Sequence, residues 1–233
     1  AAIDAAVNGD VIVLKANVTE NVTITQKDGL DLTINGEGNT FTGVMTVFGA
    51  GNQNGAETLT IKNINFVAAE DEDSCIVSPD RTVNNLYSYS HNVTVDNCTF
   101  TGHMEAAAIR HEDGGDKNWT ITNCTVDNTM HSLLQVNNVV GKLTIVNCKV
   151  YSKNGANLNS CTNVEVTGSI FDVTGYAVRA GVKTGGNLGE AKTYVLNNNT
   201  LKSDCDDGDA VLMLRASAAD VNMSMSQNVV SGA

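Results

Sequence analysis

The sequence predicts an all-β fold: a parallel β-helix of about nine coils, closed at its N-terminus by a short capping α-helix. Three observations predict it: a unit that returns along the chain, an Asn that interrupts each copy, and a third apolar segment after each copy. The unit is clearest as VTVDNCTF at 93–100, WTITNCTV at 119–126 and LTIVNCKV at 143–150, with looser copies at 32–41, 59–66, 164–171, 194–201 and 223–230. Aligned on the second apolar residue, the copies centre on Ile34, Ile61, Val95, Ile121, Ile145, Val166, Leu196 and Met225, 21 to 34 residues apart. Self-similarity at such a period belongs to a solenoid, whose units bury their apolar faces only by stacking.

Within a copy, positions −2 and 0 are apolar with a polar residue between, the period of a strand with one face inward. Position +2 should also face inward, yet it is Asn63, Asn97, Asn123, Asn147 or Asn198. Inward residues resume at +3 (Ile64, Cys98, Cys124, Cys148) and +5 (Phe66, Phe100, Val126, Val150, Phe171, Leu201), so the phase slips by one at the Asn. Asn and Gly tolerate the left-handed backbone region best, and Gly36 and Gly168 hold the same slot in two other copies. The unit therefore reads strand, one-residue corner, strand. A third strand follows as AAAIR at 106–110, SLLQV at 132–136, GANLN at 155–159, GYAVRA at 175–180 and DAVLML at 209–214. The same apolar pattern fits part of a leucine-rich repeat, but that repeat wants Leu at −5, where Ser90, Asp116, Val140, Cys161 and Ala191 stand.

Before the first copy, Ile3, Ala6 and Val7 fall on one helical face, and Asn8-Gly9 is a stop signal, so residues 1–9 are expected to form the cap. DVIVL at 10–14, NVTIT at 21–25 and LDLTI at 30–34 open the first coil. This stretch, AAIDAAVNGDVIVL…NVTI…LDLTINGEG, resembles the opening of proteins of the pectate-lyase-like superfamily. It is also similar to the β-helix regions of surface and adhesin-like proteins of anaerobic gut bacteria. The resemblance spans nearly the whole chain and carries no catalytic motif. It implies a right-handed, single-stranded parallel β-helix, found outside or on the surface of a bacterium. Residues 1–233 are expected to form one domain, since a solenoid is continuous at any length. Met223, Met225 and Val230 form a near-complete copy just before the last residue, so continuation beyond Ala233 is expected. The opening AAIDAA, without initiator Met or signal peptide, suggests a processed or excised segment.

Composition narrows the function classes. The net charge of −12 argues against nucleic acid and anionic membrane as partners, because both need basic surface. No run of 18 apolar residues is present, so no membrane insertion is expected within this segment. Six Cys occur; Cys98, Cys124 and Cys148 share one slot on successive coils, where the spacing of in-register strands exceeds what a disulfide wants. They read as a stack of buried thiols, and no CxxC or Cys/His cluster suggests a metal. Cys75, Cys161 and Cys205 lie near strand ends, where one pair could bridge.

Chemistry has few places to sit. The run SDCDDGDAV at 203–211 resembles the paired Asp of β-helix glycoside hydrolases through Asp206 and Asp207, but the Gly-His-Gly and Arg-x-Lys elements are absent. The plainer reading is an acidic corner, with Asp206, Asp207 and Asp209 as weak Ca²⁺ ligands and no other cofactor. A lyase needs a base beside carboxylates; Arg110 and Arg179 are expected outward on the third sheet, with Gln135 and Asn159 between them and Glu112, Asp113 and Asp116 in the adjoining loop. His91, His103, His111 and His131 share no slot. The longest insertion, 78–92, carries Arg81, Tyr87, Tyr89 and His91; with His111, Glu112 and Asp113 these are the expected binding residues. An outward Thr ladder (Thr33, Thr60, Thr94, Thr120, Thr144) could order water, but its companion row Asn35, Lys62, Asp96, Thr122, Val146 breaks the array, and β-propensity explains it. Eight Asn-x-Ser/Thr sequons occur; the corner Asn before Cys-Thr generates some of them automatically, as at Asn97 and Asn123, so glycosylation does not follow. The expected function is a non-catalytic, adhesin-like extracellular β-helix of an anaerobic bacterium that binds glycan or host surface protein through loops. The alternative is a polysaccharide lyase or glycoside hydrolase acting on acidic polysaccharide.

Overall fold

The computed structural model describes residues 2–25, 29–48, 57–78, 92–111, 118–137, 141–181, 191–205, 210–215 and 221–232. They form a parallel β-solenoid with three sheets along its length, of nine, nine and eight strands. Sheet 1 runs Asp10–Val13, Leu32–Asn35, Thr58–Lys62, Asn92–Asp96, Trp119–Thr122, Lys142–Val146, Asn163–Thr167, Lys192–Asn197 and Val221–Ser226. Each strand pairs in parallel with the strand one coil later, in the register set by the repeat: Ile34 with Ile61, Ile61 with Val95, Val95 with Ile121 and Ile121 with Ile145. Sheet 2 holds the second strand of each coil, such as Thr99–Thr101, and sheet 3 the third, such as Ala107–His111.

The corner between sheets 1 and 2 follows from one backbone conformation. Asn63, Asn97, Asn123, Asn147 and Asn198 have φ of 51–56°, Gly168 has 64°, and Gln227 takes the slot in the last copy at 55°. The left-handed residue turns the chain and flips its facing, so +3 and +5 return to the core. The Asn amides also bind along the stack: Asn63 donates to Asn35 Oδ1 at 2.9 Å, Asn97 to Asn63 Oδ1 at 2.8 Å and Asn123 to Asp96 Oδ1 at 2.8 Å. Gly36 departs from the expected slot. The positive φ falls on Glu37 (50°) and Gly38 (83°), and Gly36 is required because a Cβ there would lie 2.4 Å from the Asn63 carbonyl oxygen.

Inside, the +5 column stacks aromatic rings: Phe41 meets Phe66 edge-on at 5.6 Å, and Phe66 lies parallel to Phe100 at 5.2 Å. The +3 column holds Cys98, Cys124 and Cys148, each about 1% exposed. Each thiol donates to the position-0 carbonyl of the preceding coil: Cys98 to Ile61, Cys124 to Val95 and Cys148 to Ile121, at 3.6–3.8 Å. Asn199 and Asn228 make the same bond to Val166 and Leu196 at 2.9 and 2.7 Å. From Cys98 onward these positions carry a compact donor, whereas Ile64 fills the same slot with an apolar side chain. All six Cys are free thiols, so the bridge considered among Cys75, Cys161 and Cys205 is not formed.

Two expectations are corrected. The interior is sealed over about seven turns rather than nine, because the strand Asp10–Val13 is only half-buried and Val221–Ser226 is largely exposed at the ends of the stack. The helix spans Ala2–Ala5 rather than residues 1–9. Its Ile3 packs against the core edge, and Asp10 accepts the Val7 amide at 2.9 Å, ending the cap early and leading into the first strand.

Candidate functional site

On the outer face of sheet 3, parallel register lines up one side chain per coil. Val77 pairs with Arg110, Arg110 with Gln135, Gln135 with Asn157, Asn157 with Arg179, and Arg179 with Met213. The residue between the two arginines on the coil after Gln135 is therefore Asn157. The expected Asn159 lies two residues along the strand, buried, with its amide donating to Asn137 at 3.2 Å. At a rung spacing of roughly 4.8 Å, the two arginines stand about 14 Å apart along the axis.

The arginines are held by the protein. Arg110 pairs with Asp73 at 2.9 Å, its side chain about one-third exposed. The Arg179 guanidinium lies 4.9 Å from the centre of the Tyr176 ring, and its Nε approaches Met213 Sδ at 3.3 Å. Between them the row offers two carboxamides. The Asn157 Oδ1 is buried and has no hydrogen-bond partner among the described residues.

Beside this row sits His131, on the corner leading from sheet 2 into sheet 3. Gln135 Nε2 lies 3.0 Å from its Nδ1, and Asn154 Nδ2 lies 3.4 Å from its Nε2. Burial, followed by the positive charge of Lys153, lowers the His131 pKa from its ordinary value. A neutral imidazole accepts at one ring nitrogen only, so one of these two amide N–H groups can donate to it, a bond that an imidazolium could not accept. The cluster of His131, Gln135, Asn154 and Lys153 was not legible in sequence, because its members come from two coils and no shared slot marks them. Tyr151, 42% exposed, is an outward aromatic on the second of those coils.

The remaining expected residues are placed as follows. His111 ends the strand Ala107–His111, is 1% exposed and meets Trp119 edge-on at 5.1 Å. His103 Nε2 lies 2.9 and 3.0 Å from the carbonyl oxygens of Ala69 and Glu72, tying two corners together. Arg81, Tyr87, Tyr89, His91, Glu112, Asp113, Asp116, Asp206, Asp207 and Asp209 lie outside the described residues. Among the described residues, no group of three or more His, Cys, Asp or Glu is arranged to hold a metal ion, and no helix is long and apolar enough to cross a membrane. The chain matches no known protein family and no curated protein.

Proposed function

We propose that this chain is a non-catalytic, adhesin-like β-helix that binds a glycan or a host surface protein along the outer face of sheet 3. The observation that carries this reading is the in-register row Arg110–Gln135–Asn157–Arg179. Its charged members are held within the protein by Asp73 and Tyr176, and its central members, Gln135 and Asn157, are only partly covered. A linear row at one residue per rung suits an extended ligand lying along the axis, with the loops 78–92 and 111–117 as further contacts. In keeping with its resemblance to pectate-lyase-like proteins, we place the chain outside or on the surface of an anaerobic bacterium.

A second reading is favoured by one observation. His131, held toward its neutral form by burial and by the positive charge of Lys153, is where a polysaccharide lyase or glycoside hydrolase acting on acidic polysaccharide would keep a base. Incubation with a panel of neutral and acidic polysaccharides, with and without Ca²⁺, separates the two. The binding reading expects retention without products, weakened by Gln135→Ala with Asn157→Ala, or by Tyr87→Ala with Tyr89→Ala. Product formation lost in His131→Ala or Arg179→Ala would establish the enzyme instead.

A further inference from the structure

On the outer face of sheet 2, parallel register sets Thr101, Asp127, Tyr151, Asp172 and Lys202 in one column. The pairs Phe100–Val126, Val126–Val150 and Val150–Phe171 fix it one residue upstream, and Asp172 pairs directly with Lys202. A second column on the same face, two residues earlier on each strand, runs Thr99, Thr125, Lys149, Ile170 and Thr200. This part of the face is therefore Thr, Asp and Lys except at Tyr151, 42% exposed, and Ile170, 36% exposed, which stand on adjacent rungs. Both lie in the middle coils, and the stretches on either side of them, 97–106, 123–131, 147–154, 168–177 and 198–205, are all among the described residues.

The carboxylates beside the ring are held in place. Asp127 Oδ1 accepts from the Thr129 amide at 2.7 Å and from the Thr129 hydroxyl, and Asp172 Oδ1 accepts from Lys202 at 2.9 Å. Among the described residues, the second oxygen of each carboxylate and the Tyr151 hydroxyl have no hydrogen-bond partner, and Lys149 makes no ion pair. We propose that this face binds a neutral pyranose residue of a glycan, its C–H face lying on Tyr151 and Ile170 and its hydroxyls donating to Asp127 and Asp172. The carboxylates stand one rung either side of Tyr151, about 10 Å apart along the axis. Opposite hydroxyl oxygens of a pyranose lie roughly 5–6 Å apart, so with a hydrogen bond of about 2.7 Å at each end the ring spans that gap. The local charges balance, Asp172 against Lys202 and Asp127 against Lys149, so an ionic ligand gains little. A sugar hydroxyl suits both kinds of group, since it donates to a carboxylate and accepts from an ammonium. An aromatic face with a polar rim matches the apolar face and polar edge of a sugar ring. The site uses sheet 2 alone and does not depend on the sheet 3 row.

Amide-shift titration of the full chain with the methyl glycosides of glucose, galactose and mannose, up to about 50 mM, tests it. At least one is expected to bind with a Kd on the order of 1–10 mM, the scale of one stacked ring and a few hydrogen bonds, with shifts centred on 125–127, 149–151 and 170–172. Tyr151→Ala should weaken that binding roughly tenfold or more, whereas Tyr151→Phe, which keeps the ring, should weaken it less than about threefold. Tyr151 is exposed, so the same spectra should show both variants folded. Asp172→Ala should weaken binding severalfold, and methyl glucuronide should bind no more tightly than the glucoside. Gln135→Ala with Asn157→Ala should leave the affinity unchanged, so the two surfaces stand or fall separately. No shift with any of the three sugars, shifts clustered on sheet 3, affinity unchanged in Tyr151→Ala, or preference for the glucuronide would overturn the proposal.

Discussion

The corner Asn does two things at once, and they can be separated. Asn123 holds φ of 54° and donates to Asp96 Oδ1 at 2.8 Å. Ala at this position loses the bond and must adopt a conformation that costs an ordinary L residue roughly 1–2 kcal/mol. Gly loses only the bond, which on an exposed corner is worth about 0.5–1.5 kcal/mol at most. Asn123→Ala is therefore expected to lower urea stability more than Asn123→Gly, and the reverse order would remove backbone conformation as the reason for Asn there. The Cys slot makes a contrasting case. The Cys124 thiol donates to the Val95 carbonyl, and Ser169, in the same slot one coil beyond Cys148, bonds the Thr167 carbonyl at 3.2 Å. A Ser hydroxyl at 124 finds a carbonyl in reach, so Cys124→Ser is expected to cost about 1 kcal/mol or less rather than the full penalty of an unpaired buried hydroxyl. The adjacent Cys124 thiol and burial both hold the Cys148 thiol well above its ordinary pKa, and burial pushes Cys75 up to about 12. With a thiol reagent at pH 8, half-exposed Cys205 should react first and the three slot thiols only on unfolding. Rapid labelling of all six in the folded chain would contradict the inward assignment.

At the scale of a strand, two sites are out of keeping with their surroundings. Lys192 opens the strand Lys192–Asn197 with its side chain fully buried, on the same face as Tyr194 and Leu196. Its Nζ has no hydrogen-bond partner among the described residues. Removing an unpaired buried polar group is worth about 1–3 kcal/mol, so Lys192→Met is expected to raise the unfolding midpoint. A lowered midpoint would mean that the ammonium is paired. His131 makes stability depend on pH. Its folded pKa lies below the unfolded value of 6.5, so between the two the unfolded chain binds more protons. The stability that neutral His131 provides is present above about pH 6.5 and is lost as pH falls from there toward the folded value. Denaturation at pH 7.5 and at successively lower pH should show this slope, and His131→Gln should flatten it; an unchanged slope would assign it to other groups.

Across the whole molecule, a solenoid is a one-dimensional stack in which each coil is stabilised by the coil on either side. The middle coils, with Trp119–Thr122, Lys142–Val146 and Asn163–Thr167 in sheet 1, have sealed interiors and two paired neighbours. Among the described residues, the end strands Asp10–Val13 and Val221–Ser226 pair with a neighbour on one side only. Amide exchange is expected to be slowest in the middle and to quicken coil by coil toward both ends, fastest from residue 210 onward. Uniform exchange along the chain would mean that it unfolds as one unit, which nearest-neighbour stacking does not explain.

The sequence by itself determined the coil. Alternation at −2 and 0, the phase slip at Asn97 or Asn123, and the resumption at Cys98 and Phe100 are local rules, each expressed within eight residues. Backbone conformation and side-chain facing are local properties, so they can be read locally. It determined the sheet registers for the same reason, since aligned copies must pair Val95 with Ile121. Where a copy bends the rule, the cause was not local: Gly36 is set by the Asn63 carbonyl one coil away. The tertiary structure alone decided what the surface offers. That Asn157 rather than Asn159 stands between the arginines, that Asp73 reaches Arg110, and that His131 meets Gln135 and Asn154 all depend on residues from different coils. Insertions of unequal length separate those residues in the chain, so no fixed spacing announces them, and only the stacking that repeats every coil brings them within reach.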